Sequence, residues 1–128
     1  MEQRKRPLSP HLQVYRLPLT AVISVTHRMT GVLLAAGLVL FVVSLAMIQD
    51  GERSFTTMQQ FIQQPFVEIA LWLMVYALFF HLCHGVRHLI WDAGEGYDKV
   101  LMNYYIILEL FASIVITFIS FLFVNLGG

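Results

Sequence analysis

Three long apolar runs alternate with short polar stretches along the chain. Their approximate bounds are 23–49, 66–90 and 103–124. A helix needs about 20 apolar residues to cross a bilayer, so each run is long enough to span one. A short amphipathic piece around 55–64 leads to Pro65, a suitable first residue for the second long helix. The pattern predicts an all-α integral membrane protein with three transmembrane helices, which form part of a heteromeric bundle.

Composition agrees with this class of protein. The 128 residues are 58% hydrophobic and only 12% charged, whereas soluble domains carry roughly 25% charged residues. The single cysteine, Cys83, excludes an internal disulfide framework, a Cys-rich zinc site and covalent c-type haem attachment, which needs two cysteines. Zero net charge gives no indication of a nucleic-acid partner. We expect one membrane-anchor domain over residues 1–128.

Basic residues predict the orientation in the membrane. Residues 1–22 form a basic, proline-containing arm, which we expect to lie on the cytoplasmic membrane surface. One side of the predicted topology holds seven of the eight basic residues: Arg4, Lys5, Arg6, Arg16, Arg28, Arg87 and Lys99. The loop between the first two spans holds only Arg53. Because cytoplasmic segments carry the excess of Lys and Arg, the N-terminus is predicted to be cytoplasmic.

A histidine cluster ends the second apolar run. His81, His84 and His88 fall on one helix face, with Arg87 beside them. His81 lies about 11 Å deeper than His88 at a rise of ~1.5 Å per residue. A deep neutral imidazole suits a haem iron, and shallower cations suit the haem propionates. The alternative is a set of ordinary interfacial histidines beside an arginine whose head group reaches water.

One helix face cannot supply both axial ligands of one iron. His81 and His84 share a face, so a bis-histidine iron would need its second ligand from another helix or another chain. Within this chain His11 lies in the arm, and His27 looks too shallow to oppose His81. A partner subunit is the better prediction.

The base of the first span enters the bilayer at the same depth as this cluster. Ser24 and Arg28 lie one helical turn apart, and both can donate hydrogen bonds to a carbonyl, as a quinone head group would require. The alternative is a capping serine and an arginine that binds lipid phosphate. In the third span Glu109 stands alone among apolar residues. It is predicted either to face a partner or to pair with one of the basic groups.

Two long motifs resemble the signatures of a known family. The first combines RPLSPHL at 6–12 with SVTHRMTG at 24–31, and the second is HLCHGVRHLIWDAG at 81–94. Both are similar to motifs of the cytochrome b membrane subunits of succinate dehydrogenase, respiratory complex II. The similarity covers nearly the whole chain. His84 is a departure, because the family motif does not require histidine there.

The resemblance implies specific roles. His81 would be an axial ligand of haem b iron, and a second small membrane subunit would supply the other. Ser24 and Arg28 would bind ubiquinone, while His27, Arg87 and His88 would lie on the propionate side of the haem. Electrons from succinate would arrive through a flavoprotein and an iron–sulfur subunit, so this chain would serve the enzyme without holding its succinate site. The location implied is a bacterial inner membrane, or the mitochondrial inner membrane in a eukaryote.

Two other functions are compatible with the sequence. One is the anchor of a quinol:fumarate reductase, which runs the reaction in the opposite direction. The other is a non-redox membrane anchor or transporter component, in which the histidines only titrate.

Overall fold

Four helices make up the fold in the computed structural model, which describes residues 16–95 and 98–128. The helices are α1 (Leu19–Gln49), α2 (Glu52–Ile62), α3 (Pro65–Asp92) and α4 (Lys99–Leu126). Three of them, α1, α3 and α4, are long and apolar enough to cross a membrane. At ~1.5 Å per residue the shortest of the three exceeds the roughly 30 Å of a hydrocarbon core. The predicted all-α membrane fold is confirmed.

The helices extend beyond the predicted apolar spans. α1 begins at Leu19 and α4 at Lys99, about four residues before the apolar runs predicted. The predicted starts at 23 and 103 are late because a helix continues into the interface as long as its backbone hydrogen bonds are made. The end of the predicted arm therefore belongs to α1. Residues 1–15 of that arm, including His11, lie outside the described part of the chain.

Local chemistry sets several helix ends. Pro65 is the first residue of α3, as predicted, where its missing N–H costs nothing. The Asp98 side chain accepts a 2.9 Å hydrogen bond from the Val100 N–H and caps α4. Gly51 (φ 113°) joins α1 to α2, and Gly94 (φ 88°) follows α3. Both backbone conformations favour glycine because they lie at positive φ.

α2 is a short amphipathic helix held between two spans. Its apolar residues recur at helical spacing: Phe55, Met58, Phe61 and Ile62. It packs against both α1 and α3. Only Asp50 and Gly51 link it to α1, and only Gln63 and Gln64 link it to α3. An amphipathic helix at this position matches the piece predicted around 55–64.

The interior of the bundle is unusually polar for its size. α3 packs against α4 on one side and α1 on the other. A small apolar cluster of Ile23, Phe80 and Ile106 joins the three helices. Four polar residues are buried beside it: His84, Arg87, Glu109 and Ser113. Most large apolar side chains instead face outward, as expected for surfaces that meet lipid or other membrane helices.

Candidate functional site

The histidines of α1 and α3 meet at one end of the bundle. The His27 ring stacks on the His81 ring, with centroids 4.0 Å apart and planes within 12°. The centroid of His27 lies 4.6 Å from that of His84 and 5.9 Å from that of His88. The predicted convergence of the base of the first span with the end of the second is therefore present in the structure.

His81 is anchored to α1 through one ring nitrogen. Its Nδ1 lies 3.1 Å from the Thr30 Oγ1 and 3.2 Å from the His27 carbonyl oxygen. The Thr30 hydroxyl donates its only proton to that same carbonyl at 2.7 Å. Both neighbours of Nδ1 are then acceptors, so this nitrogen must carry the proton. The other ring nitrogen of His81, Nε2, keeps a free lone pair.

Gly31 lets the His81 ring approach α1 closely. A Cβ atom at position 31 would lie 3.1 Å from the His81 Cε1 atom. A contact of that length is tighter than usual, so a larger residue would push the ring away by a few tenths of an ångström. The absence of a side chain at Gly31 and the hydroxyl of Thr30 together seat His81 against α1.

His84 instead makes its contacts in the interface between α3 and α4. Its Nδ1 lies 2.7 Å from Glu109 Oε1 and 3.0 Å from Arg87 Nη2. Arg87 Nη1 is 3.2 Å from Glu109 Oε2. His84 is only 1% exposed, and its Nε2 is buried without a hydrogen-bond partner in the described structure. The isolated acidic residue of the third span is thus paired with basic residues of the second.

Arg87 is engaged by Glu109 and Trp91 rather than by the His27–His81 pair. Its guanidinium is shared between Glu109 and the ring of Trp91, whose centroid lies 4.8 Å from the Arg87 Cζ atom. His88 stays half-buried between the rings of His84 and Trp91, at 4.7 and 5.0 Å. Of the residues predicted on the propionate side, His27 and His88 therefore lie in the histidine cluster, whereas the Arg87 charge is already balanced by a carboxylate.

The structure corrects the depth expected for His27. The sequence predicts that His27 is too shallow to oppose His81, but the stacked rings lie at the same level. The reason it cannot be the opposing ligand is different. Imidazole lone pairs lie in the ring plane and ligate metals at about 2 Å, so two rings in face-to-face contact leave no room for an iron between their nitrogens.

Ser24 and Arg28 lie on α1 beside this cluster. Ser24 is half-buried and Arg28 is exposed. Across the described residues, the Arg28 guanidinium has no acidic partner and no hydrogen bond within the chain. Its charge is therefore available to a ligand or a partner, in contrast to that of Arg87.

A separate apolar groove lies between α3 and α4 at the other end of the bundle. It has a volume of about 630 Å³, and its lining includes Pro65, Trp72 and Phe121. The groove contains none of the histidines. Its position close to the α2 end of α3 separates it from the polar chemistry described above.

Sequence reasoning missed two contributors to the site. Thr30 and Gly31 stand inside the first motif, and they follow His27 by three and four residues and so share its helix face. That spacing was the available signal. The sequence does not determine the partner of Glu109, because that depends on how α4 is rotated against α3.

Comparison with known proteins places the chain among respiratory membrane subunits. A family model described as the succinate dehydrogenase/fumarate reductase transmembrane subunit matches residues 2–123. The succinate dehydrogenase cytochrome b556 subunit of Paracoccus denitrificans is 43% identical over 93 residues, covering 73% of this chain and 72% of the relative. The corresponding subunit of Rickettsia felis is 38% identical over 103 residues, 77% of each chain. The cytochrome b560 subunit of Reclinomonas americana is 37% identical over 113 residues, 82% of this chain and 78% of the relative. The chain belongs to the succinate dehydrogenase/fumarate reductase transmembrane subunit family.

Proposed function

We propose that this chain is the cytochrome b membrane-anchor subunit of succinate dehydrogenase, respiratory complex II. The relatives named above carry that designation, and three spanning helices provide the anchor. In this role the chain holds the enzyme on the membrane and contributes to passing electrons from succinate to ubiquinone. The dehydrogenase chemistry itself belongs to a flavoprotein and an iron–sulfur subunit, which are the expected partners.

His81 is proposed to hold the iron of haem b. The observation that carries this assignment is the state of its ring: Nδ1–H is held by two acceptors, so Nε2 presents a lone pair. Metal-binding histidines typically donate their other ring N–H to an oxygen in this way. The ring is also half-exposed, so a macrocycle can approach it. His84 is engaged in a similar manner, but its Nε2 is enclosed within the chain.

A second membrane subunit is proposed to supply the other axial histidine. His84 lies on the same face of α3 as His81, and His27 is in ring-to-ring contact with His81, so neither is placed to hold the same iron together with His81. Haem b, when bound, supplies a one-electron carrier in the hydrocarbon layer. We propose that His27 and His88 lie on the propionate side of the haem. Arg87 would contribute there only if its guanidinium were shared between a propionate and Glu109.

Ser24 and Arg28 are proposed to bind the head group of ubiquinone. The Arg28 guanidinium is exposed and uncompensated within the described chain. A cation and a hydroxyl on one helix turn can each donate to a quinone carbonyl and stabilise the negative charge that reduction places on its oxygen. The same arrangement would bind lipid phosphate, which is the competing explanation.

A spectrum of the purified complex tests the haem assignment. The complex is isolated through this chain, and a dithionite-reduced minus oxidised difference spectrum is recorded. We expect a b-type α-band and the co-purification of a flavoprotein and an iron–sulfur protein. A complex that contains those partners but has no such band would overturn the haem assignment. A non-redox membrane anchor would show neither the band nor the partners.

The anchor of a quinol:fumarate reductase is the second candidate, because the family model covers both enzymes. The named relatives favour succinate oxidation. The direction is tested by comparing the rates of ubiquinone reduction by succinate and of fumarate reduction by a low-potential quinol in the same preparation.

A further inference from the structure

We propose that Thr30 is a positioning residue for His81. Together with the His27 carbonyl, its hydroxyl holds the ring in the tautomer and orientation that leave Nε2 free to bind the iron. The inference rests on the proposed function, because it takes His81 as the haem ligand. It adds a determinant of haem affinity and potential on α1, the helix that does not carry the ligand.

The donors and acceptors around Nδ1 allow one consistent arrangement. Thr30 Oγ1 donates to the His27 carbonyl at 2.7 Å, and that carbonyl has no proton to give. The His81 Nδ1 lies 3.1 Å from the hydroxyl oxygen and 3.2 Å from the carbonyl oxygen. If Nδ1 carried a lone pair instead, it would face the carbonyl oxygen with no proton between them. The N–H form is therefore imposed by α1.

The backbone of α1 fixes the position of the hydroxyl. The side chain of threonine is stiff about χ1 in a helix, and a back-bond to the carbonyl three residues earlier selects its rotamer. Because the hydroxyl donates to the same carbonyl that His81 contacts, the three groups form a small network in which each bond polarises the next. The orientation of the ring thereby follows the backbone of α1.

Gly31 supplies the space that this contact requires. A Cβ atom there would lie 3.1 Å from His81 Cε1, so a side chain would push the ring away from the Thr30 hydroxyl. The hydroxyl at position 30 and the missing side chain at position 31 act on the same ring. Together they set its distance from α1.

A back-bonded threonine alone does not explain the contact. Thr26, one turn earlier on α1, donates to the Val22 carbonyl at 2.9 Å and is exposed. Thr117 on α4 makes the same kind of bond to Ser113. Neither hydroxyl is within hydrogen-bond distance of a histidine ring in the described structure. Thr26 therefore provides a matched control for Thr30.

The test replaces the hydroxyl without changing the shape of the side chain. Thr30→Val, Thr30→Ser and Thr26→Val are each produced in the full complex from haem-deficient cells, and haem is then titrated in. We expect Thr30→Val to weaken haem binding by about 10–100-fold, the usual effect of losing a partner of a metal-binding histidine. Thr30→Ser and Thr26→Val should bind haem as the native complex does.

The haem midpoint potential provides a second readout, which a purely structural defect would not move in a defined direction. Loss of an acceptor at Nδ1–H lowers the basicity of the imidazole. A weaker donor favours the reduced iron, so the potential of Thr30→Val should become more positive. Thr30→Ser should keep the native potential. Thermal unfolding of the haem-free complexes, which we expect to be alike, serves as the control for folding.

Different outcomes overturn different claims. Equal haem affinity and potential in Thr30→Val, Thr30→Ser and the native complex would overturn the role of Thr30 alone. A His81→Ala complex that still binds haem with a native spectrum would overturn the proposed function beneath it. If Thr30→Val assembles poorly, Thr30→Ala is compared with Thr30→Ser instead. Equal haem affinity in that pair would again contradict the inference, and weaker binding in Thr30→Ala would support it.

Discussion

His81 and His84 lie one helical turn apart on the same face of α3, yet they contact different neighbouring helices. His81 turns its Nδ1 to α1, where a hydroxyl and a carbonyl hold it and its ring remains half-exposed. His84 turns its Nδ1 to Glu109 on α4 and is only 1% exposed. Spacing along a helix makes the two histidines equivalent, but the neighbouring helices do not. The environment of each ring decides whether it can reach a ligand or serves to hold the bundle together.

The largest expected effect separates the two histidines directly. His81→Ala should remove the b-type α-band from the purified complex, because the proposed iron ligand is lost. His84→Ala should keep the band at reduced complex yield, since it removes an internal partner of Glu109 and opens a cavity. Reduced minus oxidised spectra, normalised to complex concentration, make the measurement. The opposite pattern would transfer the ligand role to His84.

Breaking the α3–α4 seam should reduce stability more than it changes haem binding. Glu109→Leu leaves the Arg87 guanidinium buried without its carboxylate, and we expect a loss of about 3–5 kcal/mol. Thermal unfolding of the complex in detergent measures it. The matched control is the double replacement Glu109→Leu with Arg87→Met, which removes both charges and should regain most of the loss. A single variant as stable as the native complex would contradict an ion pair in this seam.

The two arginines near the cluster offer a sharper contrast. Arg28 is exposed, whereas Arg87 is buried and paired. Arg28→Leu should lower quinone reductase activity by about 10–100-fold, corresponding to one charge-assisted hydrogen bond of ~1.5–3 kcal/mol. Succinate oxidation with artificial acceptors should stay near the native rate. Loss of both activities would indicate failed assembly and remove the support for a quinone contact.

The smallest effect is expected where a polar group of the α3–α4 seam is satisfied by its own helix. Ser113 is fully buried, and its hydroxyl donates to the Leu110 carbonyl at 2.8 Å. Ser113→Ala should change stability by about 0.6 kcal/mol or less, because hydrogen bonds in membrane proteins average that size. Haem spectra should not change. A large loss of stability in the unfolding assay would mean that Ser113 contributes to contact between α3 and α4.

The sequence predicted the helices well, but the contacts between the helices only in part. Long apolar runs and Pro65 indicated the spans, and topology indicated that His27 would meet the histidines of α3. The rotation of each helix was harder to predict, because helices that are apolar almost all round carry little directional signal. The pairing of Glu109 and the contact of Thr30 with His81 depend on that rotation, and the depth of His27 depends on how far α1 is shifted along α3.

The sequence also did not predict where two helices approach each other closely. The sequence does not show whether Gly31 in the first motif allows a close contact between helices or is simply a small residue with no packing role. The structure chooses by bringing the His81 ring to that position. A motif therefore locates a glycine, but the partner that needs the space is known only once two helices are packed.

The short links on either side of α2 have a mechanical consequence for the histidines at the far end of the bundle. An amphipathic helix resists both sinking into hydrocarbon and rising into water. Since α2 is tied to α1 by Asp50 and Gly51 and to α3 by Gln63 and Gln64, we expect an α2 helix at the interface to limit sliding of one span along the other. Sliding α3 along α1 by a single residue would shift His81 by about 1.5 Å and separate it from Thr30. We therefore expect α2, at the other end of the bundle, to help keep His81 level with Thr30.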